Sequence, residues 1–158
     1  MTINGTPWKG QVAAEEVLLD FLRRRLALKG TKRSCESQVC GACTVLVDSK
    51  AISSCNFLAF EANGKSVLTI EGLATAGKMD ILQESFLRNL GFQCGYCTPG
   101  QIMAAKALLL ENPCPTREQV VSWLTGNICR CGVYPAIVPS VLEAAQEMRD
   151  NERDEPTK

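Results

Sequence analysis

Nine cysteines and no histidine in 158 residues set the chemistry open to this chain. Cys35, Cys40 and Cys43 follow a C-x4-C-x2-C spacing, with Cys55 downstream. Four thiolates make one complete site, and that opening spacing is the one that ligates a plant-type [2Fe-2S] cluster. Gly41 and Ala42 supply the small residues that let backbone N–H groups approach bridging sulfides. A second group pairs Cys94-x2-Cys97 with Cys129-x-Cys131. Cys97 stands just before Thr98-Pro99, a helix start whose free N–H groups and positive dipole end favour a negatively charged cluster. Arg130, between the last two cysteines, is placed to offset such charge.

Taken alone, the second group is open between zinc and iron. Structural disulfides are disfavoured in a reducing compartment, so nine cysteines point to metal binding or redox work. The absence of histidine removes Rieske-type ligation, Cys2His2 zinc and histidine acid/base catalysis together. Cys114 lies in Asn112-Pro113-Cys114-Pro115 with no paired cysteine nearby and is assigned no role. Lys plus Arg balances Asp plus Glu at 17 each, so no net field points to nucleic acid or an anionic membrane surface. No apolar run approaches the roughly 18 residues that span a bilayer, the first residues lack a signal-peptide pattern, and the expected location is cytoplasmic.

The elements that must position these groups change character midway. Short strands are expected at Thr2 to Asn4, near Trp8, and at Val67 to Ile70, with a hairpin of Thr44 to Val47 and Ala51 to Ser53 about Asp48-Ser49-Lys50. One helix is expected from about Glu15 to Leu28, with Gly30 closing it. Beyond a joint near residues 74 to 79 the period becomes helical. Asp80 caps a first helix that Gly91 ends, and capping-box signals at Thr98/Gln101, Thr116/Gln119 and Ser140/Glu143 each predict a further start. The fold class is α+β: a strand-rich domain over 1–76, an all-helical domain over 77–150 and a charged tail over 151–158.

With both cysteine groups in order, the chain resembles the small iron-sulfur subunits of the xanthine oxidase family of molybdenum hydroxylases, of the carbon monoxide dehydrogenase and 4-hydroxybenzoyl-CoA reductase type. The resemblance is carried by LLDFLRRRLALKGTK, CGACTVLVD with Cys55 downstream, GFQCGYCTPGQIMAAKALL and GNICRCGVY, nearly the whole chain. It implies an N-terminal ferredoxin-like β-grasp domain and a C-terminal four-helix domain, each with one [2Fe-2S] cluster. Cys35, Cys40, Cys43 and Cys55 would hold the first, and Cys94, Cys97, Cys129 and Cys131 the second.

The resemblance also implies partners: a large molybdopterin-binding subunit beside the helical-domain cluster and a medium FAD-binding subunit nearer the other, in a dimer of heterotrimers. Electrons would pass from molybdenum to FAD through this chain, and Gln93 and Cys131 would touch the pterin. The loop Glu36-Ser37-Gln38-Val39 lacks the glycines many relatives carry there, and Gly132-Val133-Tyr134 replaces the usual Thr-Gly-Tyr. The first change is expected to alter loop conformation and the second the contacts near the pterin. A free-standing ferredoxin-like carrier and a structural zinc module are the competing readings.

Overall fold

The computed structural model describes residues 1–154. Its first half is a mixed five-stranded sheet in the order β2-β1-β5-β3-β4, built from β1 (Thr2–Ile3), β2 (Thr6–Pro7), β3 (Thr44–Val47), β4 (Lys50–Ser53) and β5 (Ser66–Leu68). Asp48 and Ser49 both take positive φ, +47° and +67°, the backbone of a two-residue hairpin whose twist matches its strands. β1 pairs with β5 in parallel, so the chain must leave the sheet between them, and the excursion through residues 8–43 carries Cys35, Cys40 and Cys43.

β3 is buried on both faces. Val45 and Val47 join Ile3, Leu18, Phe21, Leu22 and Val67 in one apolar cluster, whereas Leu46 turns the other way into the helical core. Alternate side chains of a strand point to opposite faces, so one four-residue strand serves two cores. The helical half comprises α2 (Ile81–Arg88), α3 (Thr98–Glu111), α4 (Arg117–Trp123) and α5 (Tyr134–Asp154). α3 is the central member: Ile102, Met103, Ala105, Leu108 and Leu109 are buried against the other helices and the sheet.

Several expected boundaries move. The helix expected from Glu15 to Leu28 is short, an α-helical turn α1 (Leu18–Asp20) continued by a π-helical turn, Phe21–Arg25. Val17 pairs in a bridge with Leu58, which holds its backbone extended, and Ala27 at φ +55° ends the turn in place of Gly30. Gly30 is needed for proximity instead, since a Cβ there would lie 2.2 Å from Ile70 Cγ2. Likewise the left-handed residue after α2 is Leu90, at φ +53°. Gly91 donates its N–H to the Phe86 carbonyl, and a Cβ on it would lie 2.9 Å from Ser140 Oγ of α5.

The two caps at Asp80 and Thr116 form as expected, each with its reciprocal glutamine. Those at Thr98 and Ser140 do not. α3 has Cys97 at its N-cap, and Gln101 turns inward to a carbonyl across the fold. Ser140 sits inside α5, donating back to the Ala136 carbonyl, because the helix has already started at Tyr134-Pro135 and runs through Pro139. Glu143 reaches across to Arg88 of α2 instead, at 2.8 Å. α5 also continues through Asp154 into the segment expected to be tail, and 155–158 lie outside the described residues.

Asp80 does two jobs, accepting the Leu82 N–H at 2.9 Å and pairing with Lys106 Nζ of α3 at 2.8 Å in a partly buried site. Asp80→Ala is therefore expected to lower the stability of the helical half by about 1–2 kcal/mol, read as earlier thermal unfolding. Thermal unfolding at the wild-type temperature would contradict that reading.

Candidate metal centres

None of the nine cysteines is in a disulfide. In the first group the loop is shaped by left-handed residues, Glu36 at φ +56°, Gln38 at +63° and Gly41 at +68°. This turns the N–H groups of Ser37 and Cys40 onto Cys35 Sγ, both at 3.4 Å. Those donors hold the exposed Cys35 thiol down at about 6. In the segment 36–39, which lacks glycine, two non-glycine residues, Glu36 and Gln38, take the left-handed backbone that glycine adopts freely.

Cys43 and Cys55 lie side by side in a small buried cluster with Leu19, and Ser54 Oγ donates to the Cys43 carbonyl at 2.7 Å. Burial, with the Cys55 side chain beside it, pushes the Cys43 thiol up to about 11.

The second group is assembled by two segments. Cys94 and Cys97 precede α3, Cys129 and Cys131 precede α5, and the Cys129 N–H donates to the Tyr134 hydroxyl at 2.7 Å, which fixes the turn between them. Burial pushes the Cys97 thiol up to about 12, with Cys129 and the charge of Cys94 adding to the effect. Burial would raise Cys129 as well, but the N–H groups of Val133, Cys131 and Gly132 together with Cys97 bring it below the ordinary thiol range. Cys131 and Arg130 are exposed, as are Gln93 and Cys94. Cys114 stands apart from both groups, exposed in the α3–α4 loop, where its N–H donates to Asn112 Oδ1 at 3.1 Å.

Among the described residues no three metal-ligating side chains converge on one ion. The thiols meet in pairs, Cys43 with Cys55 and Cys97 with Cys129. Pairs suit a binuclear cluster, in which each iron takes two protein thiolates and two bridging sulfides. Cys43 and Cys97, the thiol pushed up in each pair, would need a strong local positive charge to become ligands, and a pair of ferric ions would supply it. N–H groups aimed at sulfur complete the fit.

The two groups also touch. The Ile128 N–H donates to the Cys40 carbonyl at 2.9 Å, and Asn127 Nδ2 donates to the Gly41 carbonyl at 3.1 Å. The Tyr96 hydroxyl, inside the Cys94–Cys97 turn, donates to the Arg33 carbonyl ahead of Cys35, and Arg33 is ion-paired to Asp20 and Glu36. One hydrogen bond thus joins Cys40 to the residue next to Cys129. Sequence reasoning missed Asn127, Ile128, Gly100 and Gln101 at this junction.

A ferredoxin-like sheet followed by a helical domain, each carrying a cysteine group of this kind, defines a two-cluster iron-sulfur protein. A family model for a 2Fe-2S iron-sulfur cluster binding domain matches residues 1–69, and one for a [2Fe-2S] binding domain matches residues 69–142. The chain is 42% identical over 154 residues to a probable xanthine dehydrogenase subunit of Bacillus subtilis, covering 98% of this chain and 88% of that one. Its fold superposes on quinoline 2-oxidoreductase of Pseudomonas putida 86 with a TM-score of 0.90 at 42% identity, covering 96% and 94% of the two chains. It superposes on aldehyde oxidoreductase of Desulfovibrio gigas with a TM-score of 0.91 at 38% identity, covering 99% of this chain and 18% of that longer one. This chain belongs to the small [2Fe-2S] subunits of the molybdenum hydroxylases and is an iron-sulfur electron-transfer subunit of such a complex.

Proposed function

We propose that Cys35, Cys40, Cys43 and Cys55 hold one [2Fe-2S] cluster and Cys94, Cys97, Cys129 and Cys131 the other, in domains that meet near residue 76. Bound there, each cluster supplies one-electron chemistry that bridges a two-electron substrate oxidation and a flavin. The chain's own part is to insulate, orient and connect. Cys43, Cys55 and Cys129 are buried, the N–H groups at Cys35 and Cys129 set the electronic environment of sulfur, and the Cys40 carbonyl to Ile128 N–H bond gives a short covalent and hydrogen-bonded path between the sites.

In this reading a large molybdopterin-binding subunit covers the second group, with Gln93 and Cys131 toward the pterin, and a medium FAD-binding subunit lies nearer the first, in a dimer of heterotrimers. The observation that carries it is where apolar surface is left uncovered. Val39 is 61% exposed in the first cysteine loop, and Tyr96, Ile128 and Tyr134 are exposed around the second group. Large apolar side chains beside redox centres mark surfaces for permanent partners. A freely diffusing carrier would gain nothing from them. Cysteines that serve as cluster ligands rather than disulfides fit a cytoplasmic setting, and no helix among the described residues is long and apolar enough to cross a membrane.

The substrate is chosen on another chain. An aldehyde, N-heterocycle, purine, phenolic acyl-CoA or carbon monoxide all suit the same wire. Affinity purification through this chain tests the assembly: molybdenum, flavin and two larger polypeptides should accompany it. Recovery of an iron-loaded chain alone from its native cells would favour the free-standing carrier.

A further inference from the structure

Asn127 is no metal ligand, yet it sits where the ligand segments of both cysteine groups meet. It is 7% exposed. Its amide Nδ2 lies 3.1 Å from the Gly41 carbonyl, 3.1 Å from the Gly100 carbonyl and 3.3 Å from Thr44 Oγ1, while Thr44 Oγ1 itself donates to the Gly41 carbonyl at 2.7 Å. Gln101, fully buried, directs its Nε2 to the Asn127 carbonyl at 2.7 Å. Gly41 lies between Cys40 and Cys43, Gly100 is in the first turn after Cys97, and Asn127 precedes Cys129 by two residues.

The packing at this point leaves no spare room. A Cβ on Gly41, at φ +68°, would lie 2.5 Å from Asn127 Nδ2 and 2.5 Å from the Gly126 carbonyl. A Cβ on Gly100 would lie 2.2 Å from the Gly41 carbonyl. Were Asn127 serving the helical bundle alone, its amide would find its acceptors there, as it does at the Gly100 carbonyl. Two of its three acceptors instead belong to the first cysteine segment, and the next residue, Ile128, donates to the Cys40 carbonyl.

We propose that Asn127 is a positioning residue for electron transfer between the two clusters: its amide clamps the first cluster's loop to the second cluster's helix, setting the separation and orientation of the two centres. This rests on the two-cluster reading above. Tunnelling rate falls exponentially with separation and magnetic dipolar coupling with its cube, so a loosened clamp changes both before it changes ligation. The conservative shape change Asn127→Asp keeps the side-chain volume but removes both N–H donors and faces a carboxylate toward the Gly41 and Gly100 carbonyls, leaving only the Thr44 hydroxyl able to donate to it, so the bonds to the two backbone carbonyls are lost. Asn127→Ala removes it without adding charge.

The test is electron paramagnetic resonance of the dithionite-reduced complex, with rapid-mixing measurement of electron equilibration between the clusters. The wild-type complex should show two [2Fe-2S] signals with a mutual splitting at low temperature; absence of either signal would sink the two-cluster reading itself. Asn127→Ala and Asn127→Asp holding full iron should show a diminished splitting and a severalfold slower equilibration. Full iron with wild-type splitting and rate overturns the proposal. Should both variants lose iron, Thr44→Val decides, because it removes one acceptor of the clamp and no cysteine neighbour of the second group. Reduced splitting at full iron then supports the clamp, and unchanged splitting overturns it.

Discussion

Cys129→Ser in the assembled complex is expected to abolish the second [2Fe-2S] signal and drop substrate-to-flavin electron transfer to background, with the first signal retained. The buried sulfur of Cys129 neighbours Cys97 and receives the N–H groups of Val133, Cys131 and Gly132. A serine oxygen at this position is a harder, shorter and more basic donor, and it would sit away from the point those N–H groups address. Cys131→Ser should do the same by a weaker structural route, because Cys131 is exposed and its loss leaves Cys97 and Cys129 packed. Spectra and turnover are both needed. Equal loss of both signals would show that the junction through Ile128 and Asn127 makes the sites interdependent, and a wild-type second signal in Cys129→Ser would remove Cys129 from the ligand set.

The second large effect is Gly100→Ala. Within a helix, alanine ordinarily stabilises by about 1 kcal/mol over glycine. Here the methyl group would stand 2.2 Å from a backbone carbonyl oxygen of Gly41 and 3.1 Å from Ala42 Cα, atoms that cannot swing aside as a side-chain tip could. Overpacking of this kind costs about 1–3 kcal/mol or more, so sterics win over propensity. A net loss of about 2 kcal/mol is expected, together with reduced iron content. Gly126→Ala is the control, because nothing lies within 4 Å of a Cβ there, and it should change stability by less than about 0.5 kcal/mol. Thermal unfolding of the two variants side by side checks the contrast. Equal stability for both would mean that the two halves do not pack as closely as the Gly41–Gly100 contact indicates.

How much of this was legible in the sequence follows from how local each feature is. Cysteine spacing is local, so both groups and the order of the two halves could be read directly. The hairpin at Asp48-Ser49 and the caps at Asp80 and Thr116 are local too. The misread helix starts share a cause: Thr98/Gln101 and Ser140/Glu143 have capping-box spacing, but Gln101 is drawn to a carbonyl 26 residues away and Glu143 to Arg88 on another helix. Val17 is similarly captured by Leu58 before a helix can begin at Glu15. The clamp was invisible for the same reason, since Asn127 and Gly41 are 86 residues apart and no single window contains both. Gly41 carried a signal of close backbone approach, but no local pattern showed that Asn127 and Gly126 are what pack against it.

Metal content tests the two-cluster wire most directly. Iron, acid-labile sulfide and zinc should be measured per copy of this chain in the native complex. Two binuclear clusters predict about four irons and about four sulfides with no stoichiometric zinc. Zinc in place of iron, or iron for a single cluster with all eight cysteines intact, would contradict it.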